Sequence, residues 1–162
     1  MYKPLMYKKN ILDINYETLK KMGIKALFFD FDNTLIKNSS SDIDYETKEM
    51  LNKLNKDFKV YVVSNSINFK RLNKILSPVN IDFVLVSLKP FAFGFNKALK
   101  RCKCKKNEVC VIGDQIYTDI KGAYKNGFYS CLTDPLGSKE NIFTKFNRLK
   151  EDKVFKRGNY YE

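Results

Sequence analysis

Two carboxylates, Asp30 and Asp32, stand two residues apart at the end of a short apolar run, residues 26–29. A run of this length that is rich in aromatics and is stopped by Asn33 and Thr34 is typical of a buried strand. At the carboxyl end of a strand in an open parallel sheet, such carboxylates would lie where ligands bind. Taken alone, the pair also fits a strand followed by a solvated acidic turn, because short motifs often match by chance.

Three more apolar runs end in polar residues that suit phosphate chemistry. These ends are Ser64-Asn65 after residues 58–63, Lys89-Pro90 after residues 83–86, and Gly113-Asp114 with Asp119 after residues 109–112. Because parallel strands end at the same edge of a sheet, we expect all four groups to converge there. We also expect Ser64 and Lys89 to open helices, with Pro90 in the first turn, since helix N-termini favour anions.

The elements that must position these residues alternate between strand and helix. Apolar residues at helical spacing predict helices over residues 16–22, 44–55, 69–76, 91–102 and 116–126, and a fifth strand is predicted over residues 128–132. This alternation predicts an α/β, three-layer Rossmann-like fold, in which a five-stranded parallel sheet carries helices on both faces.

The chain is predicted to form a single domain over residues 1–162. A basic leader and the first helix occupy residues 1–23, and the core spans residues 24–135. The tail from residue 138 predicts one more amphipathic helix, with Ile142, Phe143, Phe146 and Leu149 facing inward.

Composition bounds the class of protein. The chain has 162 residues, 44% of them hydrophobic, and no apolar run approaches the ~18–20 residues of a membrane span. The N-terminus lacks the apolar region of a secretory signal, so we expect a soluble protein in the cytoplasm. Four cysteines without any histidine, at spacings that match no paired C-x-x-C pattern, indicate reduced thiols rather than a zinc site.

The net charge of +12 suggests a nucleic acid, an anionic membrane or a phosphorylated substrate as partner. Six of the cations fall in residues 97–106, which would lie at the far end of a helix from the catalytic edge. The basic, aromatic leader could rest on an anionic bilayer, although an arm packed on the domain is the favoured interpretation. Four cations near the catalytic edge could bind a polyanionic head group or could simply be solvated: Lys37, Lys70, Arg71 and Lys139.

The four ordered motifs resemble those of the haloacid dehalogenase (HAD) superfamily of phosphotransferases, over about residues 24–135. The resemblance implies that Asp30 is the nucleophile, because an aspartyl phosphate is labile enough to be hydrolysed afterwards. It implies that Asp32 is the general acid and then the general base. Ser64 and Asn65 would bind the phosphoryl oxygens, and Lys89 would offset the charge of the nucleophile and the phosphate.

The same resemblance implies a Mg²⁺ ion. Its ligands would be the carboxylates of Asp30 and Asp114 and the backbone carbonyl of Asp32. Asp119 would not bind the ion directly but would assist through the second coordination shell. An oxygen-only ligand set is what this hard cation prefers. Neither interval in which the superfamily inserts a cap domain has room for one, so we expect an open site that suits a large substrate better than a small sugar phosphate.

Within the superfamily, the chain looks most like the short, cap-less YqeG-like phosphatases. The leader before the first motif, the segments 62–66 and 111–119, and the residues 143–148 carry this resemblance. It implies a lipid phosphatase of the phosphatidylglycerophosphate type, placed peripherally at the inner membrane face. Two alternatives stay open: a cap-less phosphatase for phosphoproteins or nucleic-acid ends, and a non-catalytic basic scaffold. Nucleic acid is not expected as partner, and the sequence does not indicate an oligomeric state.

Overall fold

A computed structural model describes residues 2–137, 140 and 142–162 of the chain. Its centre is a parallel sheet in the order β1-β6-β5-β2-β3-β4. The strands are β1 (Met6–Lys8), β2 (Ala26–Phe29), β3 (Lys59–Val63), β4 (Asp82–Val84), β5 (Val109–Gly113) and β6 (Tyr129–Thr133).

Helices follow these strands, and three of the helices begin at a capping side chain. They are α1 (Tyr16–Lys21), α2 (Tyr45–Asp57), α3 (Phe69–Leu76), α4 (Ala92–Cys102), α5 (Lys121–Asn126) and α6 (Ile142–Val154). The side chains of Asn15, Asp44 and Asn68 accept hydrogen bonds from the first turns of α1, α2 and α3. A π-helical turn, Ile116–Ile120, leads directly into α5.

The sheet is covered on both faces, because β2 alternates its side chains between two cores. Leu27 and Phe29 pack in a core with residues of α1, α2 and α3, whereas Ala26 and Phe28 pack in a core with residues of α4 and α5. The predicted three-layer α/β fold is therefore confirmed. Between residues 30 and 89, all of which the structure describes, only α2 and α3 join the strands, so this interval holds no cap domain.

The sheet has six strands, and the predicted number of five was wrong. The additional strand, β1, comes from the leader and pairs with β6 in the register Met6↔Cys131. Tyr7 is fully buried there, and its hydroxyl donates a hydrogen bond of 2.5 Å to Asp134 Oδ1. A three-residue strand is too short to give a periodic signal. Since Met6, Tyr7 and Ile11 are all buried, the structure favours the packed arm over a leader lying on a bilayer.

The two helix starts predicted at Ser64 and Lys89 were also wrong. Ser64 lies in a loop before Asn68 caps α3, and α4 begins at Ala92. Pro90 therefore lies in the loop before the helix, and the Lys89–Pro90 peptide bond is cis. Phe91, the first residue of the helix predicted over residues 91–102, precedes α4 and is 68% exposed.

The face that α6 turns toward the domain differs from the prediction. Ile142, Phe146 and Leu149 are exposed, while Glu151 is buried. The apolar pattern was misleading because Arg148 and Glu151 pack against the domain, whereas Ile142, Phe146 and Leu149 do not. The side chain of Phe143 and the residue Lys139 lie outside the described part of the structure.

Two expectations about the rest of the chain can be compared directly with the structure. All four cysteines are free, and Cys110 and Cys131 are buried within β5 and β6. Among the described residues, no helix combines the length and the apolar character needed to cross a bilayer.

Candidate active site

The strand order places the candidate site at the centre of the sheet. The chain runs from β2 outward through β3 and β4, then returns to the other side of β2 with β5. Such a switch in direction opens a crevice at the carboxyl ends of the strands. Asp30 follows β2 and Asp114 follows β5, and the Asp30 N–H donates a hydrogen bond to the Ile112 carbonyl across the two strands. The parallel fold therefore brings the two motifs together.

Three buried carboxylates form the core of this site. One oxygen each of Asp30, Asp114 and Asp119 lies within 4.8 Å of the others. The close approach of Asp119 requires a glycine at position 113, because a Cβ there would stand 2.3 Å from Asp119 Oδ2. An all-oxygen set of this kind fits a hard divalent cation, and Asp119 could ligate it directly rather than from a second layer.

Lys89 links two of these carboxylates. Its Nζ donates hydrogen bonds of 2.5 Å to Asp30 Oδ1 and 2.7 Å to Asp119 Oδ1, and its side chain is almost fully buried. Burial by itself would lower the pKa of Lys89, but the attraction of Asp119 and Asp30 outweighs it and raises that pKa. Lys89 is therefore a permanent cation in the site.

The pKa of Asp30 is subject to opposing electrostatic effects. Burial raises its pKa well above the usual range, Lys89 works against this rise, and the like charges of Asp119 and Asp114 add to it. Burial likewise raises the pKa of Asp119. Additional positive charge near these groups would therefore favour the ionised form of Asp30 that a nucleophile requires.

Asp32 lies apart from the three buried carboxylates. Its Oδ1 accepts a hydrogen bond of 2.7 Å from Arg71 Nη1, both side chains are partly exposed, and Asp32 lines the pocket. Arg71 also stacks over the Phe31 ring at 5.0 Å. Arg71, considered from the sequence as a head-group contact, is thus the residue that positions Asp32.

Ser64 and Asn65 border the pocket together with Lys89. Asn65 Oδ1 accepts hydrogen bonds from the Lys89 N–H at 2.8 Å and from Ser87 Oγ at 2.7 Å. Asn65 Nδ2 donates to the Lys89 carbonyl. These contacts make Asn65 the residue that holds the Lys89 loop in place.

The cavity in front of these residues has a volume of about 420 Å³. Asp30, Asp32, Ser64, Asn65 and Lys89 line it on the side of the sheet. Glu140 and, from α6, Thr144 and Asn147 line it on the other side. The expectation of a fully open site thus needs correction, because α6 borders the pocket although no cap domain is inserted before Lys89.

Arg148 of α6 is the main residue that the sequence argument missed. Its guanidinium forms short contacts with the Asp114 carboxylate and the Asp114 carbonyl, and an ion pair of 2.9 Å with Glu140. Thr34 Oγ1 donates to the second oxygen of Asp114 at 2.9 Å. In the sequence, Arg148 belongs to residues 143–148, which carry part of the resemblance to the YqeG-like phosphatases. No function was predicted for these residues.

Glu151 anchors the same helix. It accepts hydrogen bonds from the backbone N–H groups of Ile116 and Tyr117, at 2.7 and 3.2 Å, and pairs with Arg148 and Arg157. Arg157 in turn donates to the Asp114 carbonyl at 2.9 Å. Arg148, Glu151 and Arg157, all from the C-terminal region, therefore contact the segment that carries Asp114.

The architecture is the HAD-like fold, as two solved structures show. The solved HAD-hydrolase YfnB from Bacillus subtilis, bound to magnesium, superposes with a TM-score of 0.59 at 16% identity, over 74% of this chain and 91% of that one. A HAD family enzyme from Bacteroides thetaiotaomicron, in complex with magnesium and inorganic phosphate, gives 0.56 at 14% identity, over 75% and 99%.

Residues 1–137 match the family described as mitochondrial PGP phosphatase, and the chain belongs to this family. It is 33% identical over 152 residues to "Probable phosphatase YqeG" of Bacillus subtilis (strain 168), covering 93% of this chain and 88% of that protein. It is 28% identical over 149 residues to phosphatidylglycerophosphate phosphatase 1, chloroplastic/mitochondrial, of Arabidopsis thaliana, covering 86% of this chain but 43% of that protein. The predicted HAD-family phosphatase of YqeG-like type is confirmed.

Proposed function

We propose that this phosphatase is a Mg²⁺-dependent phosphate monoesterase that works through an aspartyl phosphate on Asp30. The observation that carries the proposal is the buried grouping of Asp30, Lys89, Asp114 and Asp119, of which Asp30 and Lys89 line the pocket. In the first step, a carboxylate oxygen of Asp30 attacks phosphorus while the bond from phosphorus to the ester oxygen breaks. Asp32 gives its proton to the departing alkoxide.

In the second step, water hydrolyses the aspartyl phosphate, and Asp32 acts as the general base. Asp32, now ionised, takes a proton from a water molecule, and the hydroxide attacks the phosphorus of the aspartyl phosphate. The bond between phosphorus and the Asp30 oxygen breaks, so that inorganic phosphate leaves and Asp30 returns to its starting form. Arg71 positions Asp32 for both transfers, and Lys89 balances the charge on Asp30 throughout.

Mg²⁺ fits the donor set of the site. Asp30, Asp114 and Asp119 offer carboxylate oxygens, and the Asp32 carbonyl is a further proposed ligand. Bound there, the cation would supply electrostatic stabilisation for the charge that builds on the phosphoryl group. The presence of magnesium in structurally similar HAD hydrolases supports this choice of metal.

We propose phosphatidylglycerophosphate, or a closely similar lipid phosphate, as the substrate. The family description and the Arabidopsis relative support this choice, and a site without a cap domain before Lys89 can admit the head group of a lipid. The substrate would remain membrane-embedded while its phosphate enters the pocket, which makes contact with a membrane surface part of the proposal.

The test is phosphate release by the purified protein with Mg²⁺. Phosphatidylglycerophosphate in mixed micelles is compared with a phosphopeptide, a nucleotide and a sugar phosphate. We expect the lipid to be turned over fastest and Asp30→Asn to abolish turnover. Asp57→Asn, which changes an exposed carboxylate paired with Lys20, serves as the matched control and should retain it.

Two outcomes would contradict separate parts of the proposal. Equal phosphate release by wild type and Asp30→Asn would remove Asp30 from the mechanism. A marked preference for the phosphopeptide or for the nucleotide would leave the mechanism intact and replace the lipid as substrate class.

A further inference from the structure

Large apolar side chains are exposed on the two loops that follow β3 and β4, and on the first turns of α3 and α4 into which these loops lead. We call this surface the apolar rim, and its members are Ile67, Phe69, Val86, Leu88, Phe91 and Phe93. Ile67 is 82% exposed and also lines the pocket. Exposed apolar groups that cluster in this way mark sites of interaction more often than isolated ones do.

Backbone hydrogen bonds join the two loops into one surface. The Val86 N–H donates to the Ser66 carbonyl and the Ser87 N–H donates to the Ser64 carbonyl, both at 3.0 Å. Asn65 ties the same loops together through Lys89 and Ser87. The apolar rim is therefore rigidly connected to residues that line the pocket, and whatever binds the rim is placed at the pocket mouth.

The backbone is strained where it presents two of these side chains. Val86 has a φ of +48° and Leu88 a φ of +54°, in the left-handed region that a β-branched or bulky residue avoids. Ser87 between them is fully buried, so the two neighbouring side chains are turned outward. Strain of this kind is retained mainly at functional positions. Here, an unfavourable backbone conformation keeps the side chains of Val86 and Leu88 exposed to solvent. Such exposure is what a contact surface for an apolar partner requires.

The charge around the rim is of one sign. The segments that carry the rim, residues 64–76 and 83–97, contain five Lys or Arg and no Asp or Glu. Lys70 is exposed directly after Phe69, and the Lys97 ammonium lies 4.4 Å from the centre of the Phe93 ring. Three acids line the pocket, and each is paired with a cation: Asp30 with Lys89, Asp32 with Arg71 and Glu140 with Arg148. Exposed apolar groups flanked by cations complement an anionic lipid bilayer.

We propose that the apolar rim is the surface on which this protein docks to an anionic phospholipid bilayer. Its apolar side chains enter the interfacial layer, nearby lysines contact the lipid phosphates, and the pocket then faces the head groups. This inference rests on the proposed lipid substrate and adds the surface by which that substrate is reached. It also moves the membrane contact from the leader, whose Met6 and Tyr7 are buried in β1, to the catalytic edge.

The experiment measures co-sedimentation of the full chain with vesicles of phosphatidylcholine alone or mixed with phosphatidylglycerol. The double variant Leu88→Ser/Phe91→Ser changes two exposed rim residues that do not line the pocket. We expect wild type to bind the mixed vesicles and the double variant to bind them at least about tenfold more weakly, since two large apolar side chains no longer leave water. Hydrolysis of water-soluble p-nitrophenyl phosphate should be unchanged.

The matched control is Tyr124→Ser. Tyr124 is 67% exposed, nearly as much as Phe91. However, it lies near the end of α5, which leads to β6, on the other side of the central strand β2 from β3 and β4. This variant should bind the mixed vesicles as wild type does. Gel filtration of the same proteins tests whether a second copy of the chain covers the rim instead.

Three results would overturn the docking proposal: no binding of wild type to the mixed vesicles, equal binding by the double variant, or conversion of a dimer to a monomer by the double variant without loss of vesicle binding. If one of them occurred while phosphatidylglycerophosphate was still hydrolysed in micelles, the proposed function would stand without this surface. Vesicle binding that depends on the rim, together with a preference for a soluble phosphate ester, would support the docking surface and contradict the lipid substrate.

Discussion

Arg148 and Asp114 show how the site balances its charge at the level of single residues. Asp114 is fully buried and its carboxylate is paired with Arg148, while Asp30 and Asp119 share Lys89. The three carboxylates and two cations leave one formal negative charge among these five side chains. The removal of either cation would leave a buried carboxylate without its partner, which is costly at low dielectric.

We therefore predict that Arg148→Ala lowers the free energy of unfolding by about 3–5 kcal/mol without Mg²⁺, because it breaks a buried ion pair. Since the Asp114 carboxylate is also a proposed ligand, Mg²⁺ should restore more stability to this variant than to wild type. Urea unfolding with and without Mg²⁺ measures both effects. Arg101→Ala breaks an exposed pair with Asp82 and should cost at most about 1 kcal/mol. An equal decrease in the free energy of unfolding in the two variants would show that the buried ion pair of Arg148 stabilises the protein no more than an exposed one.

The residues of the four motifs were predictable because each directly follows, or closely follows, a strand that the sequence reveals. Asp30 and Asp114 come after fully buried apolar runs, and parallel pairing brings such positions to one edge. Arg148 was not predictable in the same way, because it reaches Asp114 from a helix 34 positions further along the chain. Only the folded chain reveals that contact.

At the level of elements, α6 is the part of the fold that the apolar pattern described wrongly. Helical periodicity assumes that the buried face is the apolar one. In α6, Arg148 and Glu151 face the domain, and Ile142, Phe146 and Leu149 face solvent. Departures from the simple pattern are expected at functional positions. β1 escaped prediction for a different reason, since three residues give no measurable alternation.

We predict that Glu151→Ala loosens α6 from the domain. The substitution removes the acceptor for the Ile116 and Tyr117 N–H groups and a shared partner of Arg148 and Arg157. Buried donors left without acceptors cost about 1–3 kcal/mol each, so cleavage by trypsin within residues 145–153 should become at least about tenfold faster. Asp152→Ala, at the exposed neighbouring position, is the control and should match wild type. A cleavage rate in Glu151→Ala equal to that of the control would mean that Glu151 does not anchor the helix.

At the level of the whole molecule, the two ends of the chain meet around Tyr7. The backbones of Tyr7 and Tyr161 exchange hydrogen bonds of 2.8 and 2.9 Å, and the Tyr7 hydroxyl donates to Asp134. Burial, together with the hydrogen bond to Asp134, raises the pKa of Tyr7 to about 12. The folded state therefore keeps the Tyr7 proton at pH values where the unfolded chain has released it.

This pKa shift predicts an alkaline dependence of stability. The contribution of Tyr7 is complete below the unfolded pKa of about 10 and is lost as the pH rises through the folded value. Tyr7→Phe should lower the free energy of unfolding by about 1.5–3 kcal/mol at neutral pH, as expected for a hydrogen bond to a carboxylate. The gap between the two proteins should narrow above about pH 10. Chemical denaturation across this range measures the gap, and Tyr124→Phe is the control for an exposed phenol. A gap that does not change with pH would contradict the assignment.

The central claim is that Asp30 receives the phosphoryl group, and trapping that intermediate tests it most directly. Asp32→Asn lacks the base for the second step, whereas p-nitrophenolate leaves in the first step without a general acid. The variant is incubated with p-nitrophenyl phosphate and Mg²⁺, quenched in acid, digested with pepsin and examined by mass spectrometry. We predict that a peptide containing Asp30 gains the mass of one phosphoryl group, and that the double variant Asp30→Asn/Asp32→Asn gains none. A phosphoryl group on a different peptide, or one that persists when Asp30 is replaced, would contradict the mechanism.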